Sequence, residues 1–242
     1  MKLIVNISLV FALLFVAGCK NCANRRGELQ EISHTLPSFS SLDVEGKFNI
    51  TLVQSDTSKV TYSGYRGFIE TVLYEVVDNQ LIISNNNKCS NLNKYDDWVD
   101  LRIELDTLDS ARFSVPGMLT SEGVLNWKHT IFLIDNCDLN TDLHLNFNHF
   151  ELRLDGGTST VELKGNNQKT TIYNNGNGHV YAKGLINTNF SVFSIGTGVI
   201  ESTVTNNFVA SVQGSTEVYY YGNPQSEDIS IIGDQGANVI KR

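Results

Sequence analysis

The chain has 242 residues, 41% of them hydrophobic and 18% charged, with 18 Lys and Arg against 26 Asp and Glu. This composition can fill an apolar core, and it excludes a disordered chain, a collagen, a coiled coil and a multi-span membrane protein. A formal charge of −8 with no basic tract argues against nucleic acid as a partner, because phosphate neutralisation needs Lys and Arg. Three Pro against 19 Gly, among many Asn, Thr and Ser, predict short strands divided by tight turns.

Met1 and Lys2 make a positive start, and Leu3 to Val16 is apolar except for Asn6 and Ser8. The apolar run is short for a bilayer span and reads as an export signal over residues 1–18. It ends in Val16-Ala17-Gly18-Cys19, which resembles the bacterial lipobox. That resemblance implies a diacylglyceryl group on the Cys19 thiol, which makes a membrane the first expected partner. Lys20 in place of Asp after the cysteine is similar to outer-membrane lipoproteins. The acidic residues typical of surface export in Bacteroidetes lipoproteins do not occur before Glu28, so both faces of that membrane stay open. Residues 19–37 read as the lipidated N-terminus and a polar tether, and residues 38–242 as one domain. Cys22, Cys89 and Cys137 permit at most one internal disulfide, whose pairing spacing does not assign. No Cys or His spacing matches a metal site, and neither a metal nor a cofactor is expected.

From Phe39 onward the pattern is apolar alternation with turn residues and no helical periodicity. Strands are predicted at Leu42-Asp43-Val44, Phe48 to Leu52, Lys59 to Tyr62, Leu81-Ile82-Ile83 and Val99 to Leu105. Beyond them an apolar or small residue recurs four places before a turn residue. The pairs are Phe113/Gly117, Phe132/Asn136, Leu152/Gly156, Ile172/Gly176, Val192/Gly196, Ala210/Gly214 and Ile229/Gly233. A period near 20 is that of a stacked solenoid. Leucine-rich repeats lack support in the Leu pattern, and a propeller blade needs about twice this length. The remaining candidate is an all-β parallel β-helix of seven coils. Phe190 and Phe208 are expected in one inward column, with Ile172, Val192 and Ala210 in another. The extra residue at Gly156-Gly157 predicts a bulge. The terminal coils need capping or a partner, which leaves a homo-oligomer open.

These residues resemble the head GIN domain of the putative auto-transporter adhesin family, found in Bacteroidetes lipoproteins. The likeness rests on Phe39 to Gln54, read as an opening hairpin, on Val76 to Ile83, on Val218 to Pro224, and on the Gly-x-Gly corners at Gly176 and Gly196. It implies a right-handed parallel β-helix on the cell envelope and brings no catalytic residues.

Candidate chemistry is sparse. Asp155, Glu162, Glu201 and Glu217 lie at different offsets from their corners, which predicts no shared column and no glycosidase pair. Asp96, Asp97 and Asp100 lack the Gly-turn loop of a calcium site. His34, His129, His144, His149 and His179 are scattered and read as surface or loop residues. Tyr181, Tyr219 and Tyr221, with Trp127, could present aromatic faces to sugar rings, whereas strict alternation would bury one of Tyr219-Tyr220-Tyr221. Asp109-Ser110-Ala111 and Asp106-Thr107-Leu108 resemble Bacteroidetes O-glycosylation sequences, with Ser110 the favoured acceptor. The functional expectation is a non-catalytic adhesin-like or scaffolding surface that contacts a glycan or an envelope protein. The alternative is a carbohydrate-binding or carbohydrate-active β-helix.

Overall fold

A computed structural model of the chain describes residues 27–85, 87, 98–233 and 236–242. Val, Ile, Phe and Thr alternate with polar residues along most of this length, and the backbone answers with seventeen strands and one helical turn among the described residues. The N-terminal part contains β1 (Leu29–Thr35), β2 (Ser41–Glu45), β3 (Phe48–Gln54), β4 (Lys59–Tyr65), the short helix α1 (Arg66–Ile69), β5 (Val72–Val77), β6 (Gln80–Asn85) and β7 (Val99–Leu105). The repeating part contains β8 (Ser110–Ser114), β9 (Gly117–Glu122), β10 (His129–Asp135), β11 (Leu139–Asp155), β12 (Thr160–Asn174), β13 (His179–Ser194) and β14 (Thr197–Val212). β15 (Ser215–Tyr221), β16 (Ser226–Ile231) and β17 (Asn238–Lys241) finish it.

The pairings define two stacked faces. On one, which we call face A, β6, β2, β8 and β10 are followed by the second halves of β11 to β14 and then β16. On the other, face B, β7, β3 and β9 are followed by the first halves of β11 to β14, then β15 and β17. Neighbouring rungs are parallel throughout, as a β-solenoid requires. The rungs from Ser110 to Asp228 enclose about six turns, spaced about 20 residues apart, one fewer than the corner count predicts.

Inward columns follow directly from the register. Ala111, Phe132, Leu152, Ile172, Val192 and Ala210 are consecutive on face A and buried, so the predicted Ile172–Val192–Ala210 column exists. Phe190 lies over Phe208 as expected, with ring centroids 6.4 Å apart. The corner prediction holds from Asn136 to Gly214: a Cβ on Gly176 would come within 2.6 Å of the Gly156 carbonyl oxygen, and Gly196 and Gly214 crowd their predecessors still more closely, whereas a Cβ on Gly233 would meet nothing within 4 Å. The first pair is displaced. Phe113 pairs with Ile134, not Phe132, and Gly117 opens β9 opposite Leu139 because the preceding corner, Val115-Pro116, is shorter.

Three further expectations are corrected. Leu29–Thr35, read as tether, is strand β1, paired antiparallel with β4 through seven residues. The opening segment is not a hairpin: β2 lies between β6 and β8 on face A, and β3 between β7 and β9 on face B. Gly156 and Gly157 form the corner itself, with φ of +73° and +68°, and the strand irregularities fall between Glu162 and Lys164 in β12 and between Ala182 and Asn189 in β13. From Ala182 to Asn189 β13 has two residues more than the facing stretch Ser202 to Asn207 of β14, which accounts for the 18-residue interval between Gly196 and Gly214.

The N-terminal end is closed by non-repeating structure. β5 adds an antiparallel strand to β6 of face A, β4 adds one to β7 of face B with β1 beyond it, and Phe68 and Ile69 of α1 fill the interior.

Candidate functional site

Outward positions one coil apart also stack, so polar side chains form ladders. Thr158 donates to Asp138 (2.6 Å), Asn146 to Asn126 (2.7 Å), Asn175 to Asp155 (2.9 Å) and Thr197 to Asn177 (2.8 Å), each pair 20 residues apart. The two bonds from Thr158, through its hydroxyl and its backbone N–H, hold the Asp138 carboxyl below the usual carboxylate range.

The longest chemically varied ladder is on face B. In register it runs Thr120, Asp142, Glu162, Tyr181, Glu201, Tyr219. Glu162 and Glu201 therefore share a column, contrary to the offsets counted from their corners. The Gly156-Gly157 corner absorbs one residue, so offsets differing by one still align. Two open cavities of about 290 and 330 Å³ meet along this ladder, sharing Asp142 and Glu162. Lys164 bonds Asp142 at 2.8 Å, while Glu162 is exposed with no hydrogen bond among the described residues. Tyr181 is 37% exposed, and its ring lies parallel to His179 with centroids 6.1 Å apart. At the far end Tyr219 donates to Glu217 (2.7 Å), a bond that raises its phenol pKa. Tyr221 donates to Glu201 (3.4 Å) beneath the Lys183 ammonium, which lies 4.4 Å from the ring centroid. The surface thus offers carboxylates, ammonium groups and one open aromatic plate on a stacked backbone.

A family described as "putative auto-transporter adhesin, head GIN domain" matches residues 38–224. The chain belongs to this family. A Bacteroides fragilis structure described as a putative adhesin superposes with a TM-score of 0.80 at 21% identity, covering 89% of this chain and 97% of that one. A Parabacteroides distasonis structure described as a putative adhesin gives 0.55 at 21% identity, covering 88% and 98%. A second protein of that organism, described as a putative lipid binding protein, gives 0.59 at 13% identity, covering 88% and 97%. At these identities the likeness shows the solenoid fold. No curated protein matches the chain.

In this head GIN domain the sequence candidates separate by position. Tyr181, Tyr219 and Tyr221 come to one face, whereas Tyr220 is 4% exposed, as strict alternation requires. Trp127 leaves the set: it is buried, stacks on Phe147 at 5.4 Å and donates its indole N–H to the Asp106 carbonyl. Ser110 begins β8, half-buried, with its hydroxyl 3.0 Å from that of Ser41, whereas Thr107 lies exposed in the preceding loop. Asp96 and Asp97 lie outside the described residues, as do Cys19, Cys22 and Cys89, and Asp100 accepts a bond from Asn49 at 2.9 Å. Cys137 is a free, buried thiol, and burial pushes its pKa up.

The histidines lie in strands, not loops. His129 and His149 are one coil apart and stack with centroids 4.6 Å apart, a relation hidden until the coil length is applied to them. Burial, followed by the charges of Lys169 and His129, holds the His149 imidazole below its ordinary pKa. Below about pH 6.5 the unfolded chain then binds more protons than the folded one, so stability falls as the pH drops through the unfolded value. The expected result is a lower melting temperature at pH 5.5 than at 7.5, with a smaller difference in His149→Asn. An equal acid loss in that variant would assign the effect to other groups.

Proposed function

We propose that this head GIN domain is a lipid-anchored module of the cell envelope that works by surface contact, as an adhesin or scaffold without chemistry of its own. The observation that carries this reading is the Asp142–Glu162–Tyr181–Glu201–Tyr219 ladder, which sets one aromatic plate and several hydrogen-bonding groups along a single solenoid face. The family description and the adhesin descriptions of similar structures support the same direction. Carboxylates that accept from hydroxyls, beside an exposed ring that stacks on a sugar face, suit a neutral glycan or a glycosylated envelope protein. A glycan array probed with the full chain tests this. Saturable retention is expected, with loss in Tyr181→Ala and Glu162→Gln at unchanged melting temperature. Retention indifferent to both substitutions would overturn the assignment of the face.

The anchor follows from Cys19, because several acyl chains with roughly 0.8 kcal/mol per buried methylene hold a protein firmly to a membrane. Cells fed an alkyne fatty acid are expected to label the wild-type chain and not Cys19→Ala. Labelling of both would place the lipid elsewhere or remove it from the proposal.

A second reading is favoured by the shared column of Glu162 and Glu201. Two rungs of ~4.8 Å separate them by roughly 10 Å at the backbone, near the upper end of inverting carboxylate pairs at about 6.5–9.5 Å. A reducing-end assay discriminates. Turnover abolished by Glu162→Gln would establish a glycosidase, and binding without turnover supports the contact module.

A further inference from the structure

The two ends of the solenoid are finished differently. Antiparallel β1 and β5, with Phe68 and Ile69, close the N-terminal end. At the other end β16 pairs only with β14, and β17 only with β15. Their outer edges leave backbone N–H and C=O groups without strand partners among the described residues. Ile229 and Ile231 continue inward columns in which Ala210 and Val212 are 1% and 0% exposed, yet they themselves are 40% and 48% exposed. The adjoining Ile232 is also 48% exposed. Among the described residues no further coil covers these core positions. Such an end is a template for added strands and demands a cap.

The charges indicate what fits. β16 carries Glu227 and Asp228, while β17 ends in Lys241 and is followed by Arg242. Glu227 is already held by Lys241 (3.0 Å) and Tyr220 (3.0 Å) of the same end, which leaves the Asp228 carboxylate and the charge of Arg242, whose guanidinium rests 4.8 Å from the centroid of the Tyr219 ring, to meet a partner. The chain crosses faces A and B in opposite senses, so two copies placed end to end can add strands antiparallel to each other in two ways. A two-fold axis along the strands sets β16 of each copy against β17 of the other, acidic edge to basic edge. A two-fold axis across the faces sets β16 against β16 and brings like charges together.

We propose that a second copy of this chain caps the open end, forming a closed dimer in which β16 of each copy pairs antiparallel with β17 of the other. The exposed isoleucines meet across the junction, both edges disappear, and the isologous geometry prevents further growth. The cap touches the ladder on face B only through Tyr219, whereas Glu162 and Tyr181 lie at least two coils from this end, so variants at those two residues test the contact reading separately from the dimer.

Sedimentation equilibrium of the full chain in density-matched detergent tests the dimer. Wild type is expected to be dimeric at micromolar concentration. Ile231→Lys is expected to give monomer, and Asp228→Lys to weaken association ~10–100-fold. The double variant Asp228→Lys/Arg242→Asp should recover most of that loss, because the charges are exchanged within each strand pair. Tyr181→Ala should leave the dimer unchanged. At concentrations low enough for every form to be monomeric, melting temperatures close to wild type are expected for these end variants, since each side chain is exposed in the single copy. A monomer at all concentrations, a dimer indifferent to Ile231→Lys, or an open series of larger species would each overturn the proposal. Failure of the exchanged-charge variant to recover would overturn the pairing of β16 with β17.

Discussion

Gly196→Ala is expected to destabilise the domain by about 2–4 kcal/mol, a fall in melting temperature of roughly 10 °C for a chain of this size. The cause is stacking. The new methyl would lie on the Gly176 carbonyl oxygen, well inside van der Waals contact, and the obstacle is backbone instead of a side chain that could swing away. Gly176 is itself seated on Gly156, so the corner cannot yield by sinking toward its neighbour. Relief requires the coil to separate from the one below, which lengthens ladder bonds such as Ile195 N–H to the Asn174 carbonyl (3.1 Å) and Thr197 N–H to the Gly176 carbonyl (2.9 Å). Gly184→Ala is the matched control. Its methyl would meet Lys164 Cβ at 3.5 Å, an ordinary contact, and loss of unfolded-state freedom makes a change within ~0.5 kcal/mol the expected outcome. Differential scanning calorimetry of the two variants decides the matter, and equal melting temperatures would show that corner stacking carries little of the stability. Hydrogen exchange is expected to quicken in the Gly196 variant on the rungs of β13 and β14 before the rest, because each coil bonds only its neighbours.

The repeating region was legible in the sequence because its constraints are steric and periodic. At Gly156, Gly157, Gly176, Gly196 and Gly214 a side chain would run into the neighbouring coil, Asn136 takes φ +49°, and the inward apolar residues return with the coil length. Phe190 over Phe208 could be read from that spacing alone. The N-terminal cap was not legible in the same way. β1 and β5 pair antiparallel, α1 is a single turn, and β2 enters between β6 and β8, so no period links these segments to the coils they close. Leu29–Thr35 reads as polar because it is an edge strand with one side open, and its pattern of mostly exposed positions matches a tether as well as a strand.

The candidate site was only partly visible for a related reason. Counting from corners assumes corners of one length, whereas the corner at Gly156-Gly157 carries one residue more than those at Gly176 and Gly196. Glu162 and Glu201 therefore fall into one column although their offsets differ. Tyr181 between them could be recognised as an aromatic but not as the middle of a carboxylate ladder. Trp127 misleads in the opposite direction: a large ring in a polar neighbourhood of sequence is folded inward against Phe147. The stacked pair His129–His149 carries no local motif, and its signal is the coil length alone.

Asn187→Leu is expected to cost about 2–4 kcal/mol although it keeps nearly the same volume, because the asparagine bonds three backbone or side-chain groups inside the solenoid. Asn187 is fully buried, accepts from the Thr170 hydroxyl at 2.6 Å, and donates to the carbonyls of Leu185 (2.9 Å) and Thr203 (3.1 Å). One coil earlier Asn167 accepts from the Phe147 N–H (2.8 Å) and donates to the same Thr170 hydroxyl (3.0 Å). The two asparagines and the threonine thus tie together rungs from β11 to β14 at the bend between the faces, where β13 carries extra residues and the ladder is irregular. Leucine would leave the buried Thr170 hydroxyl with one partner and the part-buried Thr203 carbonyl without this donor. Thr170→Val removes the shared hydroxyl, and a network predicts that its cost and that of Asn187→Leu will not add. A coupling of ~1 kcal/mol in the double-mutant cycle, read by chemical denaturation, is the expected sign of that network. Strict additivity would reduce the asparagine column to separate bonds, and a neutral Asn187→Leu would show that the bend is held by its apolar neighbours alone.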